Sequence, residues 1–523
     1  MEITSVDITG QTLSIEEVVA VAYNQATVNP LNDETKKRME ASNKWLHNAI
    51  FNDKELFYGI NTGFGSHANQ AIDPEKASQL SRNVILADVT GVGNPLPAEI
   101  VRAMMLIRAN TMATGHSAIR PVVVEQLIAM LNKNVVPYVP SKGSLGASGD
   151  LVPLAAIAIV ATCGADEGGY SGEAWFEGEL MTGQAAMEKA GIPRLQLIFK
   201  EGLSMINGTT MMTAFGCLAI DKCEKLIKHA EIVSALSLEA LTAVSAAFHS
   251  DIHAASQQIG QVKTADNMRR LFQGSRLIDS TDRTQDAYSA RCIPQVIGPI
   301  RDTVGFVRPY IERTLNASID NPLIFKSEDQ QSYNSYSGGS FHGEGLALMV
   351  DYLSIAMSEI ANVSDRRAFS LLTPELNNGL PSMLIRGNGL NTGLMVAQYV
   401  GAALVSDNKT LAHPDSVDSI PSSANQEDHV SMGANGARHL WEILENVTNV
   451  VAIEFLCAAQ GIDLRENGSE KLGVGTSAAY RIVRTKVKKY DNDQEMSPDI
   501  NNLVKLMQSN AIIDAVEKEI EHL

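Results

Sequence analysis

Paired cysteines are missing from this chain, and so are a basic excess, a metal-binding signature and a long unbroken apolar run. The five cysteines (Cys163, Cys217, Cys223, Cys292 and Cys457) are odd in number and widely spaced. That excludes a regular disulfide framework and fits reduced, mostly buried thiols in a cytoplasmic protein. No CxxC pair and no HExxH occurs, so no metal is expected. Lys and Arg number 42 against 60 Asp and Glu, a formal net charge of −18. A nucleic-acid partner needs a basic face, which this balance does not offer. The apolar runs read as too short or too often interrupted to span a bilayer, so no membrane partner is expected. Met1-Glu2-Ile3-Thr4 shows no basic region followed by an apolar one, so no secretory signal is read.

What the chain does have is helical periodicity. Leu226, Ala230 and Val233 fall at i, i+4 and i+7, as do Leu440, Leu444 and Val447. Long helical stretches are also expected over about 97–133, 345–370 and 385–410, with few and short strands. The fold class is therefore mainly α, a bundle of long central helices whose loops carry the chemistry. Three successive segments are expected: 1–203, 204–483 with the long helices, and a charged, peripheral helical segment over 484–523.

The glycine-rich interruptions carry the chemical signal. In Gly143-Ser144-Leu145-Gly146-Ala147-Ser148-Gly149-Asp150, the glycines permit a tight bend with positive φ. Gly149 leaves its amide nitrogen unhindered, and Ser148 can lose water to become a dehydroalanine. A bend that brings the Gly149 nitrogen to the Ala147 carbonyl carbon lets the chain cyclise into an electrophilic ring. The plainer reading is a Gly/Ser loop with Asp150 as N-cap of an apolar helix and Pro153 in its first turn.

Four other loops add functional groups. Tyr58 stands in Tyr58-Gly59-Ile60-Asn61-Thr62-Gly63-Phe64-Gly65, and a tyrosine is a base only where its neighbours assist it; a satisfied, buried phenol is the alternative. Asn207 in Asn207-Gly208-Thr209 reads as a helix cap or as a ligand. Arg291, in Gln285-Asp286-Ala287-Tyr288-Ser289-Ala290-Arg291-Cys292, suits a carboxylate held by two parallel hydrogen bonds, or an ion pair with Asp286. Asn425-Gln426-Glu427-Asp428-His429 is a dense polar cluster or simply a solvated loop.

Taken together, these segments resemble one family, the aromatic amino acid ammonia-lyases and related aminomutases. The resemblance runs from about residue 14 to at least 465. It rests on YGINTGFG at 58–65, GSLGASGDLVPLA at 143–155, NGT at 207–209, QDAYSARCIPQ at 285–295, DNP at 320–322, GGSFHG at 338–343 and NQEDHVSM at 425–432, in the family's order. It implies that Ala147, Ser148 and Gly149 cyclise with loss of water into 4-methylidene-imidazol-5-one, with no metal or nucleotide. It implies a mainly helical homotetramer with active sites shared between subunits. It also implies roles. Tyr58 takes the β-proton, Asn207 holds the ring, and Tyr288 assists near it. Arg291 holds the substrate carboxylate, while Gly65, Asn321, Phe341, Gln426 and Glu427 line the site. Such a carbon–nitrogen lyase turns an aromatic amino acid into a trans α,β-unsaturated acid and ammonia.

The resemblance leaves the substrate divided. The family's ring-selecting pair aligns with Ala87-Asp88, where histidine lyases usually show Ser-His, phenylalanine lyases Phe-Leu and tyrosine lyases His-Leu or Ser-His. Ala87 opens space, and Asp88 either accepts a hydrogen bond from a polar ring or turns away into an ion pair. Glu427 and the stretch Ala459-Gln460-Gly461-Ile462-Asp463-Leu464 look like those of histidine lyases. Ser340 stands where the family usually has Asn. The reading taken from this is a lyase for phenylalanine, tyrosine or a substituted aryl-alanine. Histidine is the alternative, and an aminomutase that returns ammonia to the β-carbon is third. A non-catalytic helical scaffold is set aside because Tyr58, Ser148 and Arg291 are all present.

Overall fold

A computed structural model describes the chain except residues 1–2, 68, 165–168 and 388. It is mostly helical, 58% of the chain, and its strands are two to four residues long in small two- and three-stranded sheets. The chain divides into two compact units that interleave along the sequence. The first comprises Met1–Asp221, Arg308–Asp351 and Pro414–Arg438; the second comprises Lys222–Val307, Tyr352–His413 and His439–Leu523. These are not three successive segments: 203 falls inside the first unit and 483 inside the second.

The long helices run over Thr210–Ala240, Ile293–Leu315, Glu344–Leu372 and Gly433–Leu464. Two expected stretches are interrupted. The region 97–133 is two helices, Ala98–Ala113 and Pro121–Asn132, broken where Gly115 takes a φ of 84° before Pro121 restarts the helix at its first position. The stretch 385–410 becomes helical only at Met395, after Gly387, Gly389 and Gly393 adopt positive φ. A further difference concerns hydropathy. Helices Glu344–Leu372 and Gly433–Leu464 are long and apolar enough to cross a membrane by length and composition, contrary to the sequence reading. Their most apolar stretches are 61% and 78% buried within the protein, as in core helices.

In the first unit, helix Ala98–Ala113 is buried on almost every face and packs against Ile15–Ala22 and Pro121–Asn132. Two of its buried polar residues tie neighbouring segments to it. Arg102 donates to the carbonyls of Val21 and Leu131 and to the side chains of Asn24 and Asn134, and the Asn110 amide joins Gly10 to Leu315. Helix Ala77–Asp88 packs on helices Leu151–Ala161 and Glu201–Ile206. Its approach to the latter is so close that a Cβ on Gly202 would lie 2.0 Å from the Ser81 carbonyl oxygen. This three-helix contact carries part of the site, Ala87 and Asp88 among it.

In the second unit, Arg367 and Glu454 form a fully buried two-pronged pair, at 2.6 Å and 2.8 Å, completed by the Ser237 hydroxyl on Glu454. The remaining Arg367 nitrogen donates to the Ser289 carbonyl. The core of this unit thereby fixes the segment that carries Tyr288 and Arg291.

Candidate active site

The loop that holds Ser148 depends on glycine at two crowded points. Gly146 and Gly149 have φ of 71° and 72°. A Cβ on Gly146 would lie 2.1 Å from the Ser431 hydroxyl, and one on Gly149 would lie 2.2 Å from the Gly208 carbonyl carbon. Gly149 and Gly208 instead form a parallel bridge, closed by the Asp150 amide on the Gly208 carbonyl at 2.8 Å. The bend expected around the tripeptide is present.

Asp150 occupies the N-cap position of helix Leu151–Ala161 but does not cap it. Its carboxylate is fully buried and reaches across to the start of Thr210–Ala240, accepting from the Met212 amide at 3.0 Å and the Ser144 hydroxyl at 3.2 Å. Burial pushes its acid up to about 7, with those hydrogen bonds pulling the other way.

Asn207 does not begin a helix; it closes helix Glu201–Ile206. Its amide donates to Asp320 at 3.2 Å and to the Asn321 carbonyl at 3.4 Å. Asp320 is itself held by Lys200 at 2.8 Å, in an ion pair with no solvent exposure on either side chain, and by the Ser204 hydroxyl at 2.8 Å. Burial would raise the Asp320 acid, but Lys200 and Arg108 outweigh it and keep the carboxylate ionised. The orientation of the Asn207 amide is thus set by a charged group that cannot drift.

Ser148 opens into a cavity of about 430 Å³ in the first unit, large enough for an amino acid with a small ring. Tyr58, Gly65, Ser148, Asn207 and Asn321 line it, together with Ala87, Asp88, Phe341 and Glu427. Nine of the residues expected for the site are therefore brought together.

The Tyr58 loop is pinned by its own side chains. Asn61 accepts from the Phe57 amide and donates to the Glu55 carbonyl, and Thr62 accepts from the Gly59 amide. The Gly65 amide donates to the Tyr58 oxygen at 3.1 Å.

Glu427 is delivered by a tight reversal in which Ser422 and Glu427 pair backbone to backbone. Between them Ser423, Ala424 and Asn425 all take positive φ, 50°, 51° and 70°, a costly conformation for residues with side chains. The Glu427 carboxylate accepts from Ser148 at 3.3 Å and from Ser422 at 2.9 Å. Asp88, the last residue of helix Ala77–Asp88, makes no ion pair and no side-chain hydrogen bond among the described residues. Its alternative reading as half of a structural ion pair is not what the structure shows. Burial, and then the Glu427 charge, push its acid up to about 6.

Five expected residues do not line this cavity. Ala147 and Gly149 flank Ser148 in the chain, and Gln426 is exposed at the end of the Glu427 reversal. Tyr288 and Arg291 belong to the second unit. There Tyr288 is 71% exposed, and the Arg291 guanidinium lies over its ring, 4.9 Å from the centroid. Arg291 does not pair with Asp286, which takes Arg283 at 2.9 Å instead. It donates to the Gln285 amide oxygen at 2.9 Å, and its Nε is buried without a partner.

Sequence reading missed Leu80, Asn83 and Val84, which line the cavity with Ala87. Their spacing of 0, 3, 4 and 7 marks one face of a helix, so the position of Ala87 was enough to point to them. His67 and Ser423 also reach the cavity, and no sequence signal marks either. No group of three or more His, Cys, Asp or Glu placed to hold a metal occurs among the described residues.

Residues 13–485 match the family model described as aromatic amino acid lyase. The chain is 46% identical over 517 residues to "Histidine ammonia-lyase 2" of Fusobacterium nucleatum, covering 98% of both chains. Its fold is similar to a histidine ammonia-lyase from Trypanosoma cruzi (TM-score 0.89, 35% identity, 99% of this chain and 96% of that one). It is also similar to a tyrosine aminomutase from Streptomyces globisporus (TM-score 0.91, 32% identity, 99% and 100%).

Proposed function

We propose that this chain, which belongs to the aromatic amino acid lyase family, removes ammonia from L-histidine to give urocanate. That it is an ammonia-lyase follows from the family; the choice of histidine rests on the cavity. Two carboxylates, Asp88 and Glu427, line it, and no Lys or Arg does. A phenyl ring would leave Asp88 without a partner and Glu427 with only the Ser422 hydroxyl, in a partly desolvated space, which is costly. An imidazole offers them nitrogens. The expectation of a phenylalanine- or tyrosine-type substrate therefore gives way to its alternative, in keeping with the names of the relatives.

The residues fit a ring prosthetic group made from Ala147, Ser148 and Gly149. The glycine contacts hold the backbone bent, and Ser148 faces the cavity. Closure joins the Gly149 nitrogen to the Ala147 carbonyl carbon with loss of one water, and Ser148 loses a second. Such a 4-methylidene-imidazol-5-one supplies an electrophile for the substrate's amine, a poor leaving group otherwise.

The chain's other residues do the rest. Tyr58 takes the β-proton, with the Gly65 amide supporting charge on its oxygen. Asn207, fixed by Asp320, supports negative charge that develops beside Ser148. Phe341 closes the apolar wall, and Asn321 is locked by the Gly338 amide and the Ser337 hydroxyl. Arg291, which lies outside this cavity and is free of acidic partners, binds the substrate carboxylate where subunits assemble, with Tyr288 against its guanidinium. The active enzyme is a homotetramer. Helix Met395–Leu411 supports this by exposing Val396, Tyr399 and Val400, at 45–57%, an apolar stripe suited to a second copy. The five free cysteines fit the cytoplasm.

One absorbance assay tests the substrate. L-histidine, L-phenylalanine, L-tyrosine and L-Dopa give unsaturated acids that absorb at different wavelengths. Urocanate from L-histidine alone is expected. Turnover of L-phenylalanine or L-tyrosine without L-histidine overturns the choice, and a β-amino acid product would mark an aminomutase.

A further inference from the structure

We propose that Asp88 and Glu427 grip the two nitrogens of the substrate's imidazole through one shared proton, so that binding draws that proton from solvent. The inference rests on the histidine reading above and adds the protonation state in which the ring is recognised.

The two acids line one cavity and act on each other electrostatically. Glu427 keeps a donor, the Ser422 hydroxyl, once Ser148 has lost its own. Asp88 has none, and it closes a helix whose terminal carbonyls already disfavour negative charge.

Charged groups on the surrounding elements do not relieve this. On its own helix, Arg82 is turned to Thr162 and the Tyr170 carbonyl. On Glu201–Ile206 and just before it, Glu201 is held by Arg120 and Lys200 by Asp320. Asp150, at the start of Leu151–Ala161, is buried on the Met212 amide. The short turn Pro74–Lys76, preceded by Asp73, brings Glu75 and Lys76, and neither lines the cavity. Tyr58 and His67 are its other titratable lining groups.

Neutral imidazole has one N–H and one lone pair. Set between two carboxylates, it satisfies one and turns its lone pair on the other. A single added proton resolves the conflict, whether it sits on the ring or on Asp88, because both nitrogens then face a complementary group. Asp88, pushed up to about 6, is the acid readier to take it. A phenyl ring brings no hydrogen-bonding group and a phenol places its donor and its acceptor on one oxygen, whereas imidazole turns a separate nitrogen toward each acid.

Calorimetric titration with imidazolepropionate, which lacks the amine and is not turned over, tests this on the whole enzyme. Enthalpies in two buffers of different ionisation heat give the protons taken up. Near pH 8 the wild-type protein is expected to take up about one proton per site, falling as pH drops through about 6, where the free ring or carboxyl already carries it. Asp88→Asn supplies an N–H without titrating, so uptake near pH 8 is expected to fall to near zero while binding persists. No uptake by the wild type, which needs no variant, overturns the inference, and so does unchanged uptake in Asp88→Asn. Failure of the histidine reading looks different: phenylpropionate would bind the wild type in preference, and L-histidine would not be turned over.

Discussion

Gly149 and Gly208 meet backbone to backbone, and a methyl group on Gly149 would lie 2.2 Å from the Gly208 carbonyl carbon. Nothing flexible is available there to yield, since the obstacle is main chain. Gly149→Ala is therefore expected to lose the bend that brings the tripeptide together. The wild-type protein should have an intact mass lower than its sequence mass by two waters. Gly149→Ala should show the full sequence mass and no turnover, while its helical circular dichroism stays near that of the wild type.

Tyr58 receives the Gly65 amide on its oxygen and lies in the same cavity as Ser148. Replacement by phenylalanine removes the base and leaves the cavity wall. The expected outcome for Tyr58→Phe is a kcat lower by roughly 10²- to 10⁴-fold, with the two-water mass loss retained. Unchanged turnover would take Tyr58 out of the proton transfer.

The helices and the Ser148 bend were legible in the sequence because each depends on local chemistry: apolar spacing for the helices, glycine freedom for the bend. The partner of Asn207 was not. Asp320 lies 113 residues away along the chain, and nothing in the local pattern says that a buried Lys200 would hold it. Asp150 misled for the same reason. It sits where a cap belongs, but its carboxylate turned to the distant Met212 amide. The break at 114–120 was marked by Gly115 and Pro121, and the apolar periodicity on either side masked it.

Ser423, Ala424 and Asn425 hold three successive left-handed conformations to deliver Glu427. Of these, Ala424 has neither a hydrogen-bonding side chain nor the freedom of glycine. Ala424→Gly is expected to stabilise the protein by about 1 kcal/mol, read as a higher urea midpoint with unchanged slope.

The Lys200–Asp320 pair gives a second stability test, with a catalytic consequence. Removing one partner leaves a buried charge alone, and Lys200→Met is expected to cost about 3–5 kcal/mol. Asp320→Asn, close in shape, should fold better but leave the Asn207 amide less firmly directed. Its signature is a lower kcat with KM little changed, measured on L-histidine.

Asp150 sets a pH dependence whose sign can be worked out. Its acid lies at about 7 in the folded protein, against 3.8 as the ordinary value. The folded state therefore binds more proton than the unfolded state between those values, and stability contributed by the protonated form is complete below about 4 and is lost as pH rises through about 7. The difference across that window is about 4 kcal/mol by the same linkage. Asp150→Asn keeps an oxygen for the Met212 amide and does not titrate. Its urea midpoint is expected to fall less than that of the wild type between pH 4 and pH 8, the two curves converging at the acid end. Parallel curves would mean that Asp150 is ionised throughout and that the Met212 and Ser144 hydrogen bonds outweigh its burial.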